Sequence, residues 1–353
     1  MYSKPIIGIT MGDPCGNGPE ISVKALCTEA VHNICRPLII GDSLCMEYAV
    51  SVAETIGAFR LGQVRIHPIS RVKDALFAPN IIDVLELGQV KNLEERVFGK
   101  PSVLGGRAAY RYVEKAIELA MNGEVEATVT NALSKEAINM AGYHYAGHTE
   151  IYAALTGCKS YAMMLAHKNL RVVHVSTHVS LAEACRRVKK ERVLECIKLA
   201  DEACRALGIS QPKVAVAGLN PHCGENGLFG TEEIEEIQPA IEQAIKQGVL
   251  IPDAKPLAPD SVFSKALGGW YDVVVVMYHD QGHIPLKVKG FEYDSHNKCW
   301  KSVEGINATL GLPIIRVSVD HGTGFGHAGS GYASEDSLVN AIKYAVEFAK
   351  NVK

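Results

Sequence analysis

Short apolar runs without polar alternation recur along the chain, and each leads into a segment of different periodicity. Ile6–Thr10, Pro37–Gly41, Ile81–Leu85, Glu126–Thr130, Leu170–Val175, Lys213–Gly218, Val273–Met277 and Ile314–Val319 read as strands. Runs of β-branched and aliphatic residues on both faces are what parallel strands flanked by helices look like. Between them lies an amphipathic helix over Ser102–Met121, with Val113, Ala116, Ile117 and Ala120 on one face. A shorter helix covers Ile151–Leu155, a long one Ser180–Leu207, and another begins near Glu232; Ser334 with Glu335 can open the last. Strand and helix alternating in this way predict an α/β fold with mainly parallel sheets. No internal repeat and no low-complexity linker interrupts the pattern.

Composition narrows the class. A chain of 353 residues with 47% hydrophobic and 21% charged residues is long enough for about two domains and can bury a substantial core. Its 36 basic and 39 acidic residues leave a net charge of -3, so there is no polybasic footprint for nucleic acid or anionic lipid. Ten cysteines are scattered without a Cys-x-x-Cys pair, which fits buried thiols in an intracellular protein better than a disulfide framework. Met1–Thr10 lacks the features of a signal peptide and no stretch is long enough to span a bilayer, so the expectation is a cytoplasmic protein.

Candidate chemistry lies just past the strands. Three of them end on a histidine, in Ser176-Thr-His178, Asn220-Pro-His222 and Met277-Tyr-His279. The carboxyl edge of an open α/β sheet is where ligands bind. Three imidazoles at one edge favour a catalytic divalent metal with open coordination positions; the competing reading is that they cap separate loops and never meet. Asp280 follows His279, and Lys287 lies further on. His148 and Thr149 stand at a helix start, where an anion site competes with a simple Thr cap. Met11–Glu20 makes a glycine-rich strand-to-helix turn, yet it matches neither the Gly-x-Gly-x-x-Gly nor the Lys-Ser/Thr phosphate loop, so a structural turn is an equal reading. Asp320–Gly331 is dense in glycine after a core strand, which suits close approach of backbone to a ligand. Glu292–Gly305 is polar and poorly periodic and reads as a surface loop or lid.

Taken in order, the stretches Gly8-Ile-Thr-Met-Gly-Asp-Pro-x-Gly-x-Gly-Pro-Glu20, Gly147-His-Thr-Glu150, Ser176-Thr-His178, Gly218-Leu-Asn-Pro-His-x-Gly-Glu225, Met277-Tyr-His-Asp-Gln-Gly282 and Val319-Asp-His-Gly-Thr323 resemble the 4-hydroxythreonine-4-phosphate dehydrogenase family over nearly the whole chain. The resemblance implies a two-lobed α/β/α sandwich with mainly parallel sheets, similar to isocitrate and isopropylmalate dehydrogenases, assembled as a homodimer. It places residues 1–140 with 306–353 in a nucleotide-side lobe and 141–305 in a metal- and substrate-side lobe. It implies one divalent ion (Zn, Mg, Mn or Co) on His178, His222 and His279, with ligands shared across the dimer interface. Substrate contacts fall on His148, Thr149, Lys287, Asn307 and Arg316. NAD, or NADP, falls on Asp320, His321, Gly322, Thr323, Gly326 and Gly329, and the N-terminal turn becomes the less certain participant. Asn17, Cys15, Cys223 and Asn131-Ala-Leu-Ser134 depart from the family's usual residues, and the insertion Glu292–Gly305 is longer than usual.

The implied reaction is metal-assisted, NAD-dependent oxidation of a secondary alcohol β to a carboxylate, followed by decarboxylation. Gln281-Gly-His-Ile-Pro285 and Glu225-Asn-Gly-Leu-Phe-Gly230 look like the branch acting on D-threonate or D-erythronate 4-phosphate, giving dihydroxyacetone phosphate and carbon dioxide. The alternative is the branch that oxidises 4-phosphohydroxy-L-threonine for pyridoxal phosphate. Asp280 and Lys287 are the candidates for general base, with Asp280 also suited to orienting a ligand histidine. A metal-dependent hydrolase or aldolase without nicotinamide, and a non-catalytic sugar-phosphate binder, are the rivals from other classes.

Overall fold

A computed structural model describes residues 4–295 and 299–351. Along the chain its strands are β1 (Ile6–Thr10), β2 (Arg36–Gly41), β3 (Arg65–Ile69), β4 (Ile81–Glu86), β5 (Ala127–Thr130), β6 (Ala162–His167), β7 (Leu170–His174), β8 (Val214–Val216), β9 (Val273–Val276), β10 (Phe291–Asp294), β11 (Cys299–Val303), β12 (Ile306–Leu310) and β13 (Arg316–Val319). The chain forms two compact units, one built from residues up to Cys158 with Leu312–Asn351, the other from Lys159–Gly311.

In the first unit the strand order is β3-β4-β2-β1-β5-β13, and the neighbours run parallel. Every residue of β5 and β13, and all but the first of β1 and β2, is buried. The absence of alternation in these runs thus reflects covering on both faces. Helix Val103–Met121 packs against β1, β2 and β5, and Asp336–Asn351 against β5 and β13. Tyr110, Val113 and Ile117 meet Ile138, Ile151 and Tyr152 in one apolar cluster. That cluster holds His148–Thr156 in the first unit, whereas the expected lobe boundary lay near residue 140.

The second unit has the order β12-β6-β7-β9-β8. Here β7, β9 and β8 are parallel, but β6 runs antiparallel to both β7 and β12. A two-residue turn at Lys168-Asn169, with Lys168 at φ 52°, joins β6 to β7 as a hairpin. Residues 306–310 therefore belong to this unit through their pairing with β6, and not to the first as the sequence suggested. Two further expectations change. The long helix over Ser180–Leu207 is two helices, Leu181–Arg187 and Lys190–Ala206. Val188 and Lys189 between them are extended, and Glu236 accepts from Lys190 N at 2.8 Å, fixing the second start. The expected loop at Glu292–Gly305 contains the antiparallel pair β10 and β11, with 296–298 outside the described residues. Cysteines with described side chains are all free, and among the described residues no helix is long and apolar enough to cross a membrane.

Close helix packing in the first unit depends on one glycine. A Cβ at Gly106 would lie 1.9 Å from the carbonyl oxygen of Ala137, in the neighbouring helix Lys135–Met140. Replacing a helical glycine by alanine ordinarily adds up to about 1 kcal/mol of stability. Gly106→Ala should do the reverse and lower the unfolding free energy by about 1–3 kcal/mol, read from a shift of the urea midpoint at unchanged slope.

Candidate functional site

Strands β7 and β9 lie side by side, with His174 opposite Val276, and they deliver two polar segments to one edge. Ser176 Oγ donates to Met277 O at 3.0 Å, tying the two strand ends together. Beyond them the rings of His178 and His279 lie 5.8 Å apart and line one cleft of about 470 Å³ with Thr177, Ser180, Tyr278 and Asp280. A helix, His279–Gly290, begins on His279 itself. Helical spacing puts His279, His283 and Lys287 on one face. His283 stacks on His279 at 3.6 Å and meets the buried His174 at 4.8 Å. Neither His174 nor His283 was identified from the sequence, although the i, i+4, i+8 spacing of 279, 283 and 287 was a signal. Gly282 is required by this packing, since a Cβ there would lie 2.5 Å from His174 Nε2.

Charge in this cluster is set by burial. Desolvation, with the neighbouring imidazoles adding to it, brings His174 down to about 3 and His283 to about 4, so both rings are neutral at pH 7. His279 Nδ1 lies 2.6 Å from Asp280 Oδ1, a contact that fixes the ring and directs Nε2 away from the carboxylate. Lys287 Nζ sits 4.1 Å from the Phe291 ring centre. Gln281 joins two strand ends: its Oε1 accepts from Met277 N, and its Nε2 donates to Gly218 O, both at 2.7 Å.

His222 belongs to a different piece of the same unit. It opens a run, His222 to Asn226, in which every residue has positive φ, between 45° and 76°. Four of these five carry side chains, and for L-residues left-handed backbone costs about 1–2 kcal/mol each. Glu233 holds the segment: its carboxylate accepts from Leu219 N and Asn220 N at 2.7 Å and from Asn220 Nδ2 at 2.9 Å. His222 lines a cleft with Cys223, Asp253, Lys255 and Ser261. Among the described residues no three His, Cys, Asp or Glu side chains gather into a metal-holding set. One chain thus brings two of the three expected imidazoles together and leaves the third in a separate cleft.

In the first unit, His148 and Thr149 start the helix His148–Thr156, and Arg316 opens β13. Arg316 is buried, donates to Thr130 Oγ1 at 2.9 Å and lies over the Tyr152 ring. Burial lowers it to about 10, still charged at pH 7. Desolvation, with the Arg316 charge second, holds His148 well below the usual imidazole value. Among the described residues its enclosed Nε2 has no hydrogen-bond partner. A neutral imidazole, a buried guanidinium and a helix start are a donor set for an anionic group. Asn307 lies in β12 of the second unit, beside Leu165 of β6.

The glycine-dense loop after β13 and the N-terminal turn form one structure. Asn17 N donates to Thr323 O at 2.9 Å. The buried Glu20 accepts from Gly329 N and, at 2.6 Å, from Gly331 N. Lys24 donates to Gly331 O at 3.1 Å and pairs with Glu335 at 3.3 Å. Asp320 N donates to Ser337 Oγ, and His321 Nδ1 lies 2.8 Å from Gly322 O. A Cβ at Gly322 or Gly326 would meet nothing within 4 Å, so these backbones stand open, while Gly329 is held at φ 84° against Phe98 and Tyr48. Glu20, in the first turn of the helix Gly18–Leu26, thus also braces the loop.

Comparison with known proteins places these features in a family. Residues 33–345 match the family described as pyridoxal phosphate biosynthetic protein PdxA. The chain is 43% identical to a 4-hydroxythreonine-4-phosphate dehydrogenase of Trichlorobacter lovleyi, over 98% of each chain. It is 42% identical to a D-threonate 4-phosphate dehydrogenase of Cupriavidus necator, over 98% of this chain and 97% of that one. The crystal structure of a 4-hydroxythreonine-4-phosphate dehydrogenase from Burkholderia phymatum superposes with a TM-score of 0.81 at 40% identity, covering 98% of this chain and 99% of that one.

The buried imidazoles give the fold an acid limit. His174 binds its proton near pH 3 when folded and near 6.5 when unfolded. The unfolded state therefore holds the extra proton in between, and stability falls as pH drops from about 6.5 towards 4. His174→Gln should flatten that limb by on the order of 1–3 kcal/mol, measured as the difference in urea midpoints between pH 7 and pH 4.5.

Proposed function

The chain belongs to the family of the pyridoxal phosphate biosynthetic protein PdxA, and from that premise we propose that it is a dehydrogenase that oxidises a phosphorylated four-carbon hydroxy acid at a CH–OH group. Its substrate in this reading is D-threonate 4-phosphate or D-erythronate 4-phosphate, with NAD or NADP as acceptor and loss of carbon dioxide to give dihydroxyacetone phosphate. A second reading, 4-phosphohydroxy-L-threonine as substrate, is favoured by the relative of that activity at 43% identity. The observation that carries the dehydrogenase reading is the paired His178 and His279 at adjacent strand ends, with Asp280 orienting the second ring.

His178, His222 and His279 would hold one divalent ion, the third ligand reaching the other two between two copies of the chain in a homodimer. Such an ion, when bound, supplies positive charge to stabilise oxygen-centred negative charge on the substrate. The chain's own residues supply the rest. Asp280 keeps His279 in a single tautomer. Arg316 and the amide groups at the start of His148–Thr156 bind an anionic substituent, and neutral His148 adds a hydrogen bond without a further charge. Lys287 and Asn307 are the second unit's candidates for substrate contact, with Lys287 or Asp280 available to take a proton. The open glycine backbone of 320–331 takes the adenine side of the dinucleotide, which makes the N-terminal turn its support through Glu20.

In an assay of NADH or NADPH formation, the protein should turn over D-threonate 4-phosphate faster than 4-phosphohydroxy-L-threonine. Chelation should abolish turnover, and His279→Ala should lower kcat/KM by at least about a hundredfold. Full activity after metal removal would sink the metal assignment, and no dinucleotide reduction with either substrate would sink the dehydrogenase reading.

A further inference from the structure

One buried cation in the first unit has no role in the reading above. Arg96 is 93% buried by its 7% exposure. Among the described residues its guanidinium makes no hydrogen bond and no ion pair, and its Nε is enclosed without a partner. What it touches are two rings: its guanidinium carbon lies 4.4 Å from the Tyr48 ring centre and 4.6 Å from that of Phe98. Those rings are 5.7 Å apart and tilted by 33°, so the guanidinium rests against both and not between them. Aromatic faces return only part of a buried charge's lost hydration. Two rings therefore leave most of the cost of burying an unpaired charge standing.

The surroundings say where a counter-charge would come from. Gly329 packs against the same two side chains: a Cβ there would lie 3.9 Å from Phe98 and from Tyr48 Oη. A Cβ at Gly99 would lie 3.4 Å from Phe325 O, and Ser102 lies beside Cys15 of the N-terminal turn. The segment from Arg96 to Ser102 therefore packs along the glycine loop, and its cation is set at the loop's edge. Asp42, in the same region, is already engaged, accepting from Gln89 N, Val90 N and Tyr112 Oη. Among the described residues no carboxylate forms an ion pair with Arg96.

We infer that Arg96, braced by Tyr48 and Phe98, is the binding residue for a phosphate group of the dinucleotide that lies on the loop 320–331. This rests on the reading of that loop as the nucleotide site. A planar guanidinium with terminal nitrogens to offer suits a phosphate, through two parallel hydrogen bonds. The phosphate belongs either to the pyrophosphate bridge, shared by NAD and NADP, or to the 2′-phosphate carried by NADP alone.

Full-length wild-type protein, Arg96→Gln and Arg96→Lys are titrated with NADH and NADPH by fluorescence, and their thermal midpoints are recorded with and without each nucleotide. In the absence of nucleotide, Arg96→Gln should melt at or above the wild-type temperature, because it removes an uncompensated charge. Its Kd should rise at least tenfold, about 1.4 kcal/mol, with the nucleotide-induced rise in midpoint lost. Equal losses for the two nucleotides place the phosphate in the bridge; loss for NADPH alone places it at the 2′ position. Wild-type affinity in Arg96→Gln overturns the inference and leaves the loop reading intact. Wild-type protein that binds neither nucleotide overturns both. Should Arg96→Gln fail to fold, Arg96→Lys decides: affinity reduced threefold or more upholds the inference, and unchanged affinity overturns it.

Discussion

Burial of the strands on both faces is the constraint from which the rest follows. A polar side chain within β5, β9 or β13 must find a partner inside the protein, because removing it from water without one costs several kcal/mol. Polar chemistry is thereby driven to the strand ends. Asp13 follows β1, Asn131 follows β5, Ser176 to His178 follow β7, His279 follows β9 and Asp320 follows β13. Asn131, buried just past β5, ties that strand end to its neighbours: its Nδ2 donates to Thr10 O and Ser22 Oγ at 2.9 and 2.8 Å.

The loops that carry this chemistry are shaped by buried acceptors gripping backbone N–H groups. Glu20 grips the glycine loop, Glu233 the left-handed turn at His222, and Asp42 the segment at Gln89 and Val90. Each grip satisfies several donors with one side chain, which is the efficient way to hold irregular backbone inside a protein. Asp13 shows the electrostatic cost of such burial: its carboxyl is pushed up to about 6 by desolvation, against the hydrogen bond it accepts from Cys15 N.

Much of this was legible in the sequence. Unalternating runs gave β1, β2, β4, β5, β7, β9 and β13, and their polar sequels located His178, His279 and the loop after Val319. What escaped were features decided by tertiary partners. Strand β6, Ala-Met-Met-Leu-Ala-His, carries no β-branched residue and reads equally as helix, so the antiparallel hairpin with β7 was missed. The break at Val188–Lys189 has no glycine or proline and depends on Glu236, distant in sequence. His174 is an inward-facing strand residue whose contact with His283 requires Gly282, a requirement visible only in three dimensions. The grip of Glu20 on Gly329 N and Gly331 N was invisible because those amides lie more than 300 residues away.

That separation bears on how the protein is made. The first unit is assembled from both ends of the chain, and Glu20 lies 309 and 311 residues from the two amides it grips. At a synthesis rate of roughly 5–20 residues per second, its carboxylate waits on the order of 15 to 60 seconds for those partners. During that interval β5 lacks its neighbour β13, and the whole second unit, continuous in sequence, is made before that strand. The nascent first unit therefore presents an unpaired parallel edge at β5 until the final strand, β13, emerges to cover it.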